Sequence, residues 1–159
     1  MKEIASYIIS CETLLIVPVM QDKILKSKVF EYDEEFIVNM SPLDIVKDSC
    51  LFFGSSFEGR KEGTKTLIEC EIKVPIIIED SRNLIFFPTN SYKSSKNSWI
   101  SYTNLLKYSK YGSATTLLNF KGNNDIKLGV KYNFIDNQII RCIKLDAIIN
   151  KRKMIKLGQ

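Results

Sequence analysis

The 159-residue sequence predicts an α+β fold: a largely antiparallel β-sheet with one or two short helices and a C-terminal helix. Three observations lead there. Short runs rich in Ile, Leu, Val and Phe recur over most of the chain. Turn residues separate neighbouring runs, as at Gln21-Asp22-Lys23, Asp80-Ser81-Arg82-Asn83 and Lys121-Gly122-Asn123-Asn124. A helix signal is clear in two places, at Ser41-Pro42 and in the apolar spacing of residues 133–150.

Residues 4–9 and 13–20 are rich in Ile, Leu and Val and read as strands. Pro18 removes a ladder donor from the second and marks an edge or a bulge. After the turn at 21–23, residues 24–31 alternate, with Leu25 and Val29 set against Ile24, Lys26, Lys28 and Phe30; residues 35–39 continue as the next strand. The chain thus opens as an antiparallel meander. Ser41 is a helix-capping residue and Pro42 suits the first helical position. Asp44 adds a negative charge where the helix dipole favours one. Leu43, Val46 and Cys50 extend this helix over 42–50, and it stops near Gly54.

Residues 52–65 hold three glycines and the adjacent Ser55 and Ser56, which predicts a loop, or a loop opening a short helix. Residues 66–72 and 74–79 are strand-like, as are 84–87, which Pro88 ends; an exposed polar loop then leads to Trp99. Residues 98–102 suit a strand, and 103–111 fit strand or helix. Residues 114–120 and 125–130 form a hairpin about Lys121-Gly122-Asn123-Asn124. Over 133–150, Phe134, Ile135, Gln138, Ile139, Cys142, Leu145, Ile148 and Ile149 line one side of a helix, which runs into a basic end that frays over 150–159. Residues 1–159 read as a single domain.

Charge is unevenly distributed. Residues 1–82 carry 10 Lys+Arg and 15 Asp+Glu, whereas 83–159 carry 13 and 3, and no acidic residue occurs from Asn83 to Asn124. The asymmetry suggests a polyanion partner (DNA, RNA or an anionic membrane surface), with a solvated basic face as the plain alternative. No apolar run approaches the ~20 residues that span a bilayer. The N-terminal stretch, broken by Glu3 and Glu12, lacks the layout of a signal peptide, so a cytoplasmic protein is expected. Cys11, Cys50, Cys70 and Cys142 form no CxxC pair, and the sequence has no histidine. These facts exclude histidine-based triads and compact zinc motifs. No metal, cofactor or enzymatic chemistry is expected, and the thiols read as reduced and mostly buried.

Three segments carry candidate contacts. Gly54 to Lys65 has part of a phosphate-loop spacing but no Ser or Thr after Lys61; Ser55, Ser56, Arg60, Lys61 and Lys65 suit an anion, or are incidental to a surface turn. Lys93 and Lys96 lie among hydroxyls and amides that commonly bind phosphate oxygens, while Tyr92 and Trp99 suit either base stacking or core packing. Lys121 lies in a hairpin turn. Arg141, Lys144, Lys151, Arg152, Lys153 and Lys156 face only Asp146, as a helix on a phosphate backbone or a wrapping tail would; an amphipathic membrane helix is the rival, weakened by the tail's few bulky apolar residues. The expected DNA-binding set is therefore Ser55, Ser56, Arg60, Lys61, Lys65, Lys93, Lys96, Lys121, Arg141, Lys151, Arg152 and Lys153.

The string FIVNMSPLDIVKDSCLFFGSSFEGRKEGTK, residues 36–65, resembles the competence transcription factor (ComK) family, which has a similar VNM-x-PL-x-IV-x-x-SC-x-FFGSS-x-x-GRK-x-GT stretch. The likeness continues through PIIIEDSRNLIFFPTNS (75–91) and SWIS (98–101), and more weakly through VKYNFIDNQIIR (130–141), covering about residues 24 to 141. The resemblance implies an activator of DNA-uptake genes that binds AT-rich promoter boxes chiefly through the minor groove, as a homo-oligomer across paired boxes. Narrow AT-tract grooves attract inserted cations. Arg60 and Lys61, on a flexible loop, suit that insertion, which is an inference from their chemistry. A regulatory paralogue working through hetero-oligomers is the alternative. Some family members continue past the counterpart of residues 133–150, and adaptor–protease recognition is associated with that extension. Here the sequence ends at Gln159, which leaves open a naturally short tail or a truncated paralogue.

Overall fold

A computed structural model of the chain describes residues 1–155. Ten strands and three helices follow in the order β1 (Lys2–Ile4), β2 (Thr13–Gln21), β3 (Ile24–Glu31), β4 (Glu35–Val38), α1 (Pro42–Phe52), α2 (Phe57–Ile68), β5 (Ile76–Glu79), β6 (Leu84–Pro88), β7 (Trp99–Ser101), β8 (Leu105–Lys110), β9 (Thr116–Phe120), β10 (Asn124–Leu128) and α3 (Tyr132–Lys153), counted among the described residues. The fold is α+β. A seven-stranded sheet has the order β1-β4-β3-β2-β7-β6-β5, and a three-stranded sheet has the order β10-β9-β8. Every pairing is antiparallel except that of β1 with β4.

The large sheet is buried on both faces, and alternate residues of its strands feed two cores. Ile16, Val29, Phe36, Ile76, Ile78, Phe86 and Trp99 pack with Ile45, Val46 and Cys50 of α1 and Phe57 of α2. Leu15, Ile77, Ile85, Phe87 and Ile100 pack on the other side with Ile135, Ile139, Cys142 and Leu145 of α3 and with Leu118 and Phe120 of β9. Burial on both faces explains why β5 and β6 are continuous apolar runs rather than alternating ones. The cysteines separate accordingly: Cys50 and Cys142 lie in different cores on opposite faces, Cys70 is partly buried, and Cys11 is exposed. Burial pushes the Cys50 thiol up to about 11 and raises Cys142 well above the ordinary thiol value.

The local signals behave as their chemistry requires. The Ser41 hydroxyl accepts from the Asp44 N–H at 3.2 Å, with Pro42 opening α1. Gly54, at φ +85°, supplies the left-handed residue just past the end of α1. Asp22 and Lys23 both have positive φ, as a two-residue hairpin with a right-handed twist demands. Pro18 lies in a central strand, but β7 pairs only with Leu15 and Ile16, so Pro18 falls where β2 has no β7 neighbour. The ambiguous stretch 103–111 is the strand β8.

Two expectations are corrected. Residues 4–9 are not a strand: only Lys2–Ile4 pair, parallel to β4 at the sheet edge. The chain must then cross from that edge to β2, three places away, and the buried Ile9 N–H finds the Ser49 hydroxyl at 2.9 Å instead of a ladder partner. Residues 66–72 are not a strand either. Helix α2 runs on to Ile68, burying Phe57, Thr64 and Ile68, and Glu69 ends it in the left-handed conformation. Gly59 and Gly63 weaken the local helix signal by roughly 1 kcal/mol each, and burial of that face outweighs them.

Candidate nucleic-acid interface

The glycine-rich segment is a short turn followed by a helix. The Ser56 hydroxyl caps α2 by accepting from the Gly59 N–H at 3.0 Å. Of the two expected forms the structure has the second, a loop opening a helix, so Arg60 and Lys61 sit in the first turns of α2 and not on a flexible loop. Their side chains are only 19% and 21% exposed. Arg60 faces Asp80 at 4.0 Å, Lys61 pairs with Glu58 at 2.8 Å, and Lys65 faces Glu71 at 4.0 Å. The hydrogen bond from Lys61 holds the Glu58 carboxyl below its usual value. Lys61 also lies over the rings of Phe57 and Tyr92, at 5.8 and 6.0 Å. Ser55 is partly buried behind this turn.

The polar loop before β7 is laced to itself. The Asn97 side-chain oxygen accepts from the N–H groups of Thr89 and Asn90 at 3.0 and 2.9 Å, and Ser98 N–H donates to the Thr89 hydroxyl. Thr89, Asn97 and Ser98 are consequently buried, where an exposed loop was expected, while Lys93 and Lys96 stand out in solvent. Trp99 is wholly buried, with Tyr92 stacked on it at 5.5 Å and Phe57 edge-on to Tyr92 at 5.2 Å. The Tyr92 hydroxyl donates to the Val74 carbonyl, so both aromatic rings serve packing.

The α3 cations divide in two. Arg141 donates to the Ile72 carbonyl at 3.1 Å and to Gln138 Oε1 at 3.0 Å. Gln138 in turn donates to the Lys73 and Pro88 carbonyls. Arg141 thus clamps the segment between α2 and β5, and Lys144 reaches the Ile68 carbonyl at 3.4 Å beside it. Lys153 donates to the Asp80 carbonyl and to Asn83 Oδ1. Lys151 and Arg152 are exposed. Lys156 lies outside the described residues.

The predicted residues come from several elements, and the structure brings some of them together: Arg60 and Lys153 both reach Asp80, and Lys61 lies over Tyr92, beside Lys93 in sequence. Ser55, Ser56, Arg60, Lys61 and Lys65 gather on α2, Lys93 and Lys96 on the loop before β7, Lys121 alone at the β9–β10 turn, and Lys151 to Lys153 at the end of α3.

A family model described as ComK protein matches residues 4–154. The chain belongs to the ComK family. It is 35% identical over 136 residues to the competence transcription factor of Bacillus subtilis (strain 168), a span covering 86% of this chain and 71% of that protein. No solved structure matches the chain.

The electrostatics of this ComK-family chain follow from which acids are already engaged. All five ion pairs among the described residues are formed by cations of the first half: Lys26, Lys28, Arg60, Lys61 and Lys65. From residue 83 on, the three carboxylates are held by neutral donors. Asp125 accepts from Asn119 at 2.7 Å, Asp136 from the Tyr108 hydroxyl at 2.6 Å, and Asp146 from Asn83 at 2.8 Å. Among the described residues, the cations of the second half thus form no ion pair. Four of them, Lys107, Lys110, Lys127 and Lys131, are exposed on or beside the small sheet and stand outside the expected set. Their spacing in the sequence shows no motif; the acid-free run from Asn83 to Asn124 was the signal that pointed towards two of them.

Proposed function

We propose that this protein is a regulator of competence-gene transcription that acts by binding duplex DNA, with no catalytic step of its own. The observation that carries the reading is the positive charge of the second half, whose described cations form no ion pair, taken with membership of a family whose Bacillus subtilis member is a competence transcription factor. Phosphate neutralisation by Lys and Arg is the sequence-independent part of DNA affinity. Lys93, Lys96, Lys121, Lys151 and Arg152 are exposed and supply it here. The α2 set, Ser55, Ser56, Arg60, Lys61 and Lys65, contributes second, because a phosphate there competes with Asp80, Glu58 and Glu71. The site is an AT-rich promoter box approached through the minor groove, where narrow tracts concentrate negative potential, and copies of the chain assemble across paired boxes.

Fluorescence anisotropy with AT-rich and GC-rich duplexes of equal length, over a salt series, tests this. Tighter binding to the AT-rich duplex, a steep salt dependence and competition by a minor-groove drug are expected. Equal affinity for the two duplexes at moderate salt would end the minor-groove reading. Absence of binding until a second family member is added would favour hetero-oligomeric regulation instead.

A further inference from the structure

One end of the three-stranded sheet collects charge that none of the contacts above uses. β8 ends at Lys110, paired with Thr116 at the start of β9, and β10 reaches the same level at Leu128, also paired with Thr116. The intervening chain, Tyr111-Gly112-Ser113-Ala114-Thr115, is a tight turn closed by the Tyr111 N–H on the Thr115 carbonyl at 3.0 Å. Gly112 has φ +91°, a conformation that excludes most other residues. Tyr111 to Ala114 are all exposed.

Lys110, Lys127 and Lys131 surround this turn, all exposed and without an acidic partner among the described residues. Lys127 lies on the outer face of the sheet, where its ammonium donates to the Tyr111 hydroxyl at 2.9 Å and sits 4.2 Å from the ring centroid. Two residues back on the same face, Asp125 is held by Asn119, away from the turn. Two residues back from Lys110 on its own face, Tyr108 holds Asp136 at 2.6 Å. Neither carboxylate pairs with Lys110, Lys127 or Lys131, so cations outnumber acids at this end of the ribbon. Gly112, Ser113 and Ala114 give it little side-chain bulk, so it can lie close against another surface. The turn lacks the bulky aliphatic residues that would insert into a bilayer, which favours a rigid polyanion.

We propose that this end of the ribbon, with Lys110, Lys127 and Lys131 around the 111–114 turn, is a contact point for the sugar–phosphate backbone of duplex DNA. The inference rests on the DNA-binding reading above and locates a contact within it. Lysine ammonium groups act as mobile point charges, suited to phosphates rather than to base edges. The contact positions the protein on the duplex and carries no sequence preference.

The test compares the wild type with K110A/K127A, K110R/K127R and, as a reference, K151A/R152A. Each is titrated with AT-rich and GC-rich duplexes over a salt series, with thermal melting to confirm folding. Removing two phosphate contacts is expected to flatten the slope of log affinity against log salt by about 1.8 and to weaken binding on the order of tenfold near 0.1 M salt. The loss should be equal on both duplexes, and the arginine pair should retain the wild-type slope. An unchanged slope in K110A/K127A, with normal wild-type binding, overturns the ribbon contact and leaves DNA binding standing. A loss confined to the AT-rich duplex overturns the assignment to phosphate. A wild type that binds neither duplex removes the DNA reading and the ribbon contact together.

Discussion

Helix α2 and the second half of the chain both carry cations, and they use them differently. Arg60, Lys61 and Lys65 lie low on α2 and each faces a carboxylate. Within residues 57–71 three cations are set against Glu58, Glu62, Glu69 and Glu71, so the segment offers little net field. Past residue 83 the three aspartates are taken by Asn119, Tyr108 and Asn83, and no described cation forms an ion pair. A count of Lys and Arg therefore misjudges a binding surface unless the occupied carboxylates are subtracted. Ion pairs whose carboxylates are this open to solvent contribute little to stability, but they reduce the charge that a phosphate meets.

The largest effect should come from breaking the α2 side. Phe57 is almost fully buried against Tyr92 and Trp99. Phe57→Ala should cost about 3–5 kcal/mol in urea unfolding while leaving the salt slope of DNA binding unchanged under native conditions. A flattened slope in the folded variant would show that α2 belongs to the DNA surface. Next in size is Arg141, which the division within α3 makes structural. Arg141→Met keeps the stem and removes the donors to Ile72 and Gln138, for an expected loss of about 1–2 kcal/mol. K151A/R152A should stay within about 0.5 kcal/mol of wild-type stability yet bind DNA more weakly. If both variants lose only affinity, Arg141 is a contact like the others.

The fold was largely legible because its signals are local. Ser41-Pro42, the turn at Asp22-Lys23 and the apolar stripe of α3 each specify an element without help from distant residues. The misses needed tertiary information. Ile8 and Ile9 look like strand residues, but the crossing from β1 to β2 leaves them no ladder, and Ile9 is buried by its place over α1. Leu67 and Ile68 look like a strand start until Thr64 and Phe57 are seen to share their helix. The candidate site was less legible for the same reason. Nothing in the sequence separates Arg141, tied to a carbonyl on another element, from Arg152, which is exposed. The pairing of Arg60 with Asp80 depends on the β5–β6 turn coming back to α2.

A smaller effect bears on the α2 cap. Ser56→Ala removes the acceptor for the Gly59 N–H and should cost about 1 kcal/mol, the ordinary worth of such a cap. If the hydroxyl serves only the helix, Ser56→Asp restores the cap and the stability, and affinity for DNA changes little in Ser56→Ala. A loss of affinity larger than the loss of folded protein would mean that the hydroxyl meets a phosphate.

The smallest effect is spectroscopic and lies on the ribbon side. The hydrogen bond and positive charge of Lys127 lower the pKa of Tyr111, whereas burial raises those of Tyr7, Tyr92 and Tyr108. Tyr111 should thus lose its proton before those three in an ultraviolet titration. The sign follows from the partner: a cation favours the phenolate, so the folded state releases this proton at lower pH than the unfolded chain. Any stability linked to it grows as pH rises through the lowered value, and exposure keeps it small. K127A should return Tyr111 to the ordinary tyrosine range without altering the melting temperature. Duplex DNA should move the same transition upward, because phosphates engaging Lys127 offset the charge that Tyr111 feels. An early transition that persists in K127A would detach Tyr111 from Lys127. One that ignores saturating DNA would place the ribbon away from the duplex, and α2 would again become the first candidate for contact.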